Sequence, residues 1–179
     1  MLFARIKTLK TLVIGHIENG DLTEVCEACP GLESLYLHDG EWAVSLVSNE
    51  LVYSQLRVLD FSLDIGVSSS VIEQVLVRAT KLTELRISAE SDFNDAQFNA
   101  VLDQNPLKHL RKLTVCLLPH LTAQVFWRLL KGDNELEKLT VWECGNLCEN
   151  DYRQMVKYCD EKRLNLTIKW YDSALGGYL

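Results

Sequence analysis

The sequence is poor in what chemistry at a catalytic site usually requires. Four histidines, His16, His38, His109 and His120, are scattered along the chain. No serine stands in a GxSxG elbow, and neither a GxGxxG turn nor a Walker-type phosphate loop occurs. The many carboxylates read as solvated loop and helix residues. The expectation is a protein that is not an enzyme, holds no cofactor or metal and takes no small-molecule substrate. Positive charge is also scarce: 18 Lys and Arg face 25 Asp and Glu, for a net charge of -7. Phosphate contacts need clustered Lys and Arg, so this balance argues against a nucleic-acid surface and suits a chain that meets other proteins. No apolar run approaches the roughly 18–20 residues of a membrane span, so no membrane partner is expected. The opening Met1-Leu2-Phe3-Ala4-Arg5-Ile6-Lys7 is too short and too charged for a secretory leader, which points to a cytoplasmic or nuclear protein. Only three prolines interrupt 179 residues, which leaves helices free to form.

Six cysteines are present: Cys26, Cys29, Cys116, Cys144, Cys148 and Cys159. Disulfide frameworks belong mainly to short secreted chains. Cys26-Glu27-Ala28-Cys29 is a single CxxC. A zinc site needs a second pair of ligands, and neither Cys144 and Cys148 nor any histidine falls at finger spacing. The thiols read as free, small hydrophobes.

What the chain has in abundance is leucine at a fixed interval. The unit LxxLxL recurs as Leu9-Leu12-Ile14, Leu32-Leu35-Leu37, Leu56-Leu59-Phe61, Leu82-Leu85-Ile87, Leu110-Leu113-Val115 and Leu136-Leu139-Val141. A degenerate seventh copy reads Arg163-Leu166-Ile168. The starts at 9, 32, 56, 82, 110, 136 and 163 are 23, 24, 26, 28, 26 and 27 residues apart. Each unit reads as a short strand whose alternate side chains face opposite ways. One such strand cannot bury its apolar side alone, whereas stacked strands can. The remainder of each unit reads as helix. Asp21-Leu22-Thr23-Glu24 and Asn94-Asp95-Ala96-Gln97 look like capped helix starts. Apolar residues follow at helical spacing: Val71, Ile72, Val75 and Leu76; Phe98, Val101 and Leu102; Val125, Phe126, Leu129 and Leu130; Tyr152, Met155, Val156 and Cys159. The segment from Trp42 to Tyr53 is the least periodic, and Ile65-Gly66-Val67-Ser68-Ser69-Ser70 reads as a loop. The predicted architecture is α/β: a right-handed solenoid of about seven units, with a parallel sheet on the concave face and helices on the convex face. No linker divides it, so residues 1–179 form one domain. Residues 1–8 read as the tail of a preceding helix, as though the chain began inside a repeat, and 163–179 as a degenerate last repeat and cap.

These units resemble the leucine-rich repeat. Cys26-Glu27-Ala28-Cys29-Pro30-Gly31-Leu32-Glu33-Ser34-Leu35-Tyr36-Leu37 is similar to its cysteine-containing form, in which a helix ends in C-P-x-L before the next strand. Leu136-Glu137-Lys138-Leu139-Thr140-Val141-Trp142-Glu143-Cys144 resembles that form's strand followed by cysteine, and Asp151 through Cys159 its helix. At the position of Cys144 other units carry Ile17, Gly40, Asp64, Glu90 and Leu118. Such repeats are typical of F-box/leucine-rich-repeat proteins. The resemblance implies a substrate-binding array of a ubiquitin ligase subunit, although no F-box lies within these residues. A leucine-rich-repeat regulator or inhibitor, the sensing array of an immune receptor, and a structural scaffold are the alternatives.

The repeat register also lists the outward strand positions. The first column is Thr11, Ser34, Val58, Glu84, Lys112, Lys138 and Asn165. The second is Val13, Tyr36, Asp60, Arg86, Thr114, Thr140 and Thr167. The third is Gly15, His38, Ser62, Ser88, Cys116, Trp142 and Lys169. Neighbours within a column touch, so Asp60 should pair with Arg86 and Glu84 with Lys112. Trp142 with Lys112, Lys138 and Lys169 is the candidate protein-binding patch, aimed at an acidic partner, and Arg86 lies toward its edge. Tyr36 and His38 form a second patch. Cys116, with Lys112 on the same strand, is the one thiol whose pKa a lysine could lower.

Overall fold

A computed structural model describes residues 6–44, 53–62, 67–172 and 177–178. Seven strands run parallel in one sheet: β1 (Thr11–Gly15), β3 (Ser34–His38), β5 (Val58–Ser62), β6 (Glu84–Ser88), β7 (Lys112–Cys116), β8 (Lys138–Trp142) and β9 (Thr167–Asp172). An eighth, β10 (Gly177–Tyr178), closes the far edge antiparallel to β9. A separate parallel pair joins β2 (Gly20–Asp21) to β4 (Trp42–Ala43). Among the described residues five helices alternate with the strands: α1 (Leu22–Ala28), α2 (Ser69–Arg78), α3 (Asp95–Gln104), α4 (Ala123–Lys131) and α5 (Glu149–Lys162). The α/β alternation around a parallel sheet is compatible with a repeat solenoid.

The two-residue period of the strand sorts the side chains. Leu35 and Leu37, Leu59 and Phe61, Leu85 and Ile87, Leu113 and Val115, and Leu139 and Val141 are all buried. They form one core with the helix residues Val71, Ile72, Val75 and Leu76, Phe98, Val101 and Leu102, and Val125, Phe126, Leu129 and Leu130. In α5 only Met155 and Cys159 are buried, with Tyr152 and Val156 at the margin.

Local signals set the helix starts. Asp21 caps α1, its Oδ1 accepting from the Thr23 N–H at 2.7 Å. Asn94 and Gln97 make a reciprocal capping box on α3: Asn94 Oδ1 accepts from the Gln97 N–H, and Gln97 Oε1 from the Asn94 N–H. Ser68 caps α2, so Ser69 and Ser70 are already helical and the loop expected over 65–70 ends earlier. Other caps cross between units. Asp92 Oδ1 accepts from the Ser69 N–H at the start of α2, and Asp95 Oδ1 from the Thr122 N–H at the start of α4. Hydrogen bonds from Ser69 hold the Asp92 carboxyl below its usual range. Stability from this contact is therefore present above the ordinary aspartate pKa and lost as pH falls through the lowered one.

Three expectations change. The seventh unit is displaced by two residues: Leu139 pairs with Ile168 and Val141 with Trp170, so Ile168 and Trp170 point inward instead of Leu166 and Ile168. The reason is the length of α5. Arg163, expected at a leucine position, is the left-handed C-cap of this 14-residue helix, and the Leu164 N–H closes back onto the Cys159 carbonyl. The strand starts later in consequence. Second, residues 6–8 are not helical, while 1–5 lie outside the described residues. Third, Trp42 and Ala43, in the least periodic segment, form a short strand where the rest of each unit reads as helix. Residues 45–52 of the weakly periodic segment, the ladder residue Asp64, and Ile65 and Gly66 of the expected loop lie outside the described residues.

All six cysteines are free, five of them buried and Cys148 exposed. Burial pushes the Cys26 and Cys144 thiols up to about 12. Under native conditions near pH 8 a chromogenic disulfide reagent should therefore modify Cys148 rapidly and the others only as the chain opens. One fast thiol and six after denaturation is the expected count. Two or more fast thiols would contradict the burial.

Candidate functional site

With the leucines turned toward the helices, the opposite face of the sheet carries the side chains left for contact. Its three columns match the repeat register from β1 to β8: Thr11, Ser34, Val58, Glu84, Lys112 and Lys138 pair laterally; so do Val13 through Thr140, and Gly15 through Trp142. Both expected ion pairs form. Lys112 Nζ lies 2.7 Å from Glu84 Oε1, and Arg86 Nε 3.9 Å from Asp60 Oδ1. The bond to Glu84 raises the Lys112 pKa and keeps its charge engaged.

At β9 the two-residue displacement rearranges the patch. Thr167 stands beside Lys138, Lys169 beside Thr140 and Tyr171 beside Trp142. Lys169 thus belongs to the middle column, diagonal to Trp142 rather than next to it. Asn165 precedes the strand. The Trp142 and Tyr171 rings lie 5.9 Å apart, tilted by 51°. Trp142 is 51% exposed. Leu117, also exposed, follows β7 in a left-handed conformation, and its N–H donates to the Trp142 carbonyl at 3.0 Å. An apolar rim of Leu117, Trp142 and Tyr171 therefore crosses the C-terminal ends of β7, β8 and β9. Tyr171 and Leu117 are absent from the sequence-based patch. Tyr171 was hidden by the register, and Leu117 is a loop residue with no periodic signal.

The lysines do not surround the tryptophan. Lys112 and Lys138 stand at the first residues of β7 and β8, four residues and roughly 13 Å along the strand from the level of Trp142. Lys169 lies between the two levels. Lys138 and Lys169 are exposed and enter no ion pair among the described residues. Tyr36 and His38 lie on β3, four strands and roughly 19 Å from β8, and are not brought into the patch.

Cys116 corrects another expectation. Although its strand position is outward, it is 5% exposed. Burial raises its thiol pKa, partly offset by a hydrogen bond with Ser88 and by Arg86. Lys112, at the other end of β7, plays no part.

A second surface runs along the N-terminal ends of the strands. The residues just before them are stitched by backbone hydrogen bonds in the order Lys10, Glu33, Arg57, Thr83, Arg111 and Glu137. A cavity of about 670 Å³ opens there, lined by Arg57, Lys81, Thr83, Glu84, His109, Arg111, Lys112, Glu135 and Glu137. Its basic side chains are engaged: Arg57 with Glu33 at 3.7 Å, Arg111 with Glu135 at 3.1 Å, His109 with Glu135 at 3.3 Å and Lys81 with Gln55 at 2.9 Å. Hydrogen bonds from His109 and Arg111 lower the Glu135 pKa. Exposed contacts of this kind add little to stability, and the carboxylates among them leave the strip largely self-neutralised.

Among the described residues no group of three or more His, Cys, Asp or Glu is placed to hold a metal ion, and no helix is long and apolar enough to cross a membrane. The chain matches no protein-family model, and no curated protein is detectably similar to it.

Proposed function

We propose that this chain is a leucine-rich-repeat array that recognises another protein on the helix-free, concave face of its sheet, and that it selects substrates for an F-box-type ubiquitin ligase. The observation that carries the recognition reading is Trp142. A tryptophan half exposed on a strand, with the Tyr171 ring tilted against it and Leu117 beside it, gains little from solvent and much from an apolar anchor on a partner. The ligase assignment rests on the resemblance of two units to cysteine-containing repeats, one of them with the helix end Cys29-Pro30-Gly31-Leu32. Lys138 and Lys169, which enter no ion pair among the described residues, favour an acidic partner even though the chain's net charge is -7.

For a partner isolated by pull-down, Trp142→Ala is expected to weaken binding by about 2 kcal/mol or more. Lys138→Ala should mainly slow association and flatten its salt dependence. Undiminished binding by a folded Trp142→Ala, Lys138→Ala double variant would move the site elsewhere. The ligase assignment has its own readout in cells. Residues 1–179 contain no F-box, so overproduced alone they should shield the partner from turnover and lengthen its half-life; an unchanged half-life counts against that assignment.

A further inference from the structure

Two features of the recognition face have so far stood apart: the apolar rim at one end of β8 and β9, and the two lysines that enter no ion pair among the described residues. Their spacing connects them. Along the outer face of β8 and β9 the levels are Trp142 with Tyr171, then Thr140 with Lys169, then Lys138 with Thr167. Successive levels are two residues apart, roughly 6.6 Å. This is also the same-face period of any extended peptide. From the geometry we infer that the occupant of this face is an extended acidic segment lying along β8 and β9. It sets an apolar side chain against Trp142 and Tyr171, one carboxylate two residues away at Lys169, and a second four residues away at Lys138. The inference rests on the recognition reading and goes further by stating what the bound segment is.

Charge decides the direction of the track. Running across the strands from Trp142, the same column continues through buried Cys116 to Ser88, Ser62 and His38, with no lysine or arginine. Across the first column, Lys138 is followed by Lys112, but Glu84 already holds that charge at 2.7 Å. Arg86, further along the middle column, is held by Asp60. Among the described residues only the path along β8 and β9 meets an apolar pair and then two cations with no ion-pair partner in turn. A segment with the same composition but carboxylates one and three residues from the anchor would turn them away from the sheet.

Two fluorescein-labelled peptides of equal charge and composition separate these cases. In Glu-Ser-Glu-Ser-Phe-Ser-Glu-Ser-Glu the carboxylates share the face of the Phe in either chain direction. In Ser-Glu-Ser-Glu-Phe-Glu-Ser-Glu-Ser they oppose it. By fluorescence anisotropy at low ionic strength the first should bind about tenfold tighter or better. Trp142→Ala should abolish binding of the first, and a Lys138→Ala, Lys169→Ala double variant with an unchanged melting temperature should erase the difference. Equal affinities, or no binding of the first peptide at millimolar concentration, overturn the inference. So does tighter binding of oligo(dT), which would mark a nucleic-acid track instead. If the peptides bind alike while an isolated partner still depends on Trp142, the segment is wrong and the recognition reading stands. If the partner ignores Trp142, the recognition reading fails first.

Discussion

Leu85→Ala should lower the free energy of unfolding by about 2–5 kcal/mol, the range for truncating a buried leucine that cannot be replaced by collapse of its surroundings. Leu85 is 2% exposed at the second position of β6, between Leu59 on β5 and Leu113 on β7. In a stacked array each unit is stabilised by its neighbours, so a cavity at the centre weakens two interfaces at once. Ser88→Ala, on the outer face of the same strand, removes only a hydrogen bond with Cys116 and should cost about 1 kcal/mol or less. Urea unfolding followed by far-ultraviolet circular dichroism gives both numbers. Equal, mild losses would mean that the assigned faces of β6 are reversed.

Asn105→Ala should cost about 2–4 kcal/mol for a different reason, the exposure of two backbone groups without partners. Asn105 is 3% exposed at the C-cap of α3. Its Nδ2 donates to the Leu76 carbonyl at 2.7 Å, one of the last carbonyls of α2, which no residue of that helix can satisfy. Its Oδ1 accepts from the N–H of Leu107, a residue in the left-handed region. The side chain thus ties the end of one helix to the turn after the next. Asn134 makes a similar pair of bonds within its own unit, to the Leu129 carbonyl of α4 and from the Leu136 N–H, but it is only half-buried, and water can replace it. Asn134→Ala should therefore cost about 1 kcal/mol. If the two variants lost the same stability, burial would not be what makes Asn105 expensive to remove.

Much of this was legible beforehand, and the reasons are local. LxxLxL names the strand and its buried side because the two-residue period allows only one way to hide Leu35 with Leu37, or Leu85 with Ile87. Asn94 and Gln97 announced their capping box because both partners lie within one turn. The ion pairs of Glu84 with Lys112 and Asp60 with Arg86 were also readable, since six units share one register. Asn105 was missed: its bond to Leu76 spans 29 residues, and nothing local marks an asparagine that serves another helix.

The sequence by itself determined which side chains face the core and which face out in the LxxLxL strands β1, β3, β5, β6, β7 and β8, because alternation along a strand needs no knowledge of its neighbours. The tertiary structure alone decided who stands beside whom at the candidate site. Strand β9 takes its place from the length of α5 and from its hydrogen bonds to β8, not from the nearest leucine. A shift of two residues preserves inward and outward faces, so the pattern of apolar residues cannot detect it. Yet it moves Lys169 one level down and sets Tyr171 against Trp142. Burial of Cys116 is a lateral fact of the same kind, set by contacts between residues more than twenty positions apart.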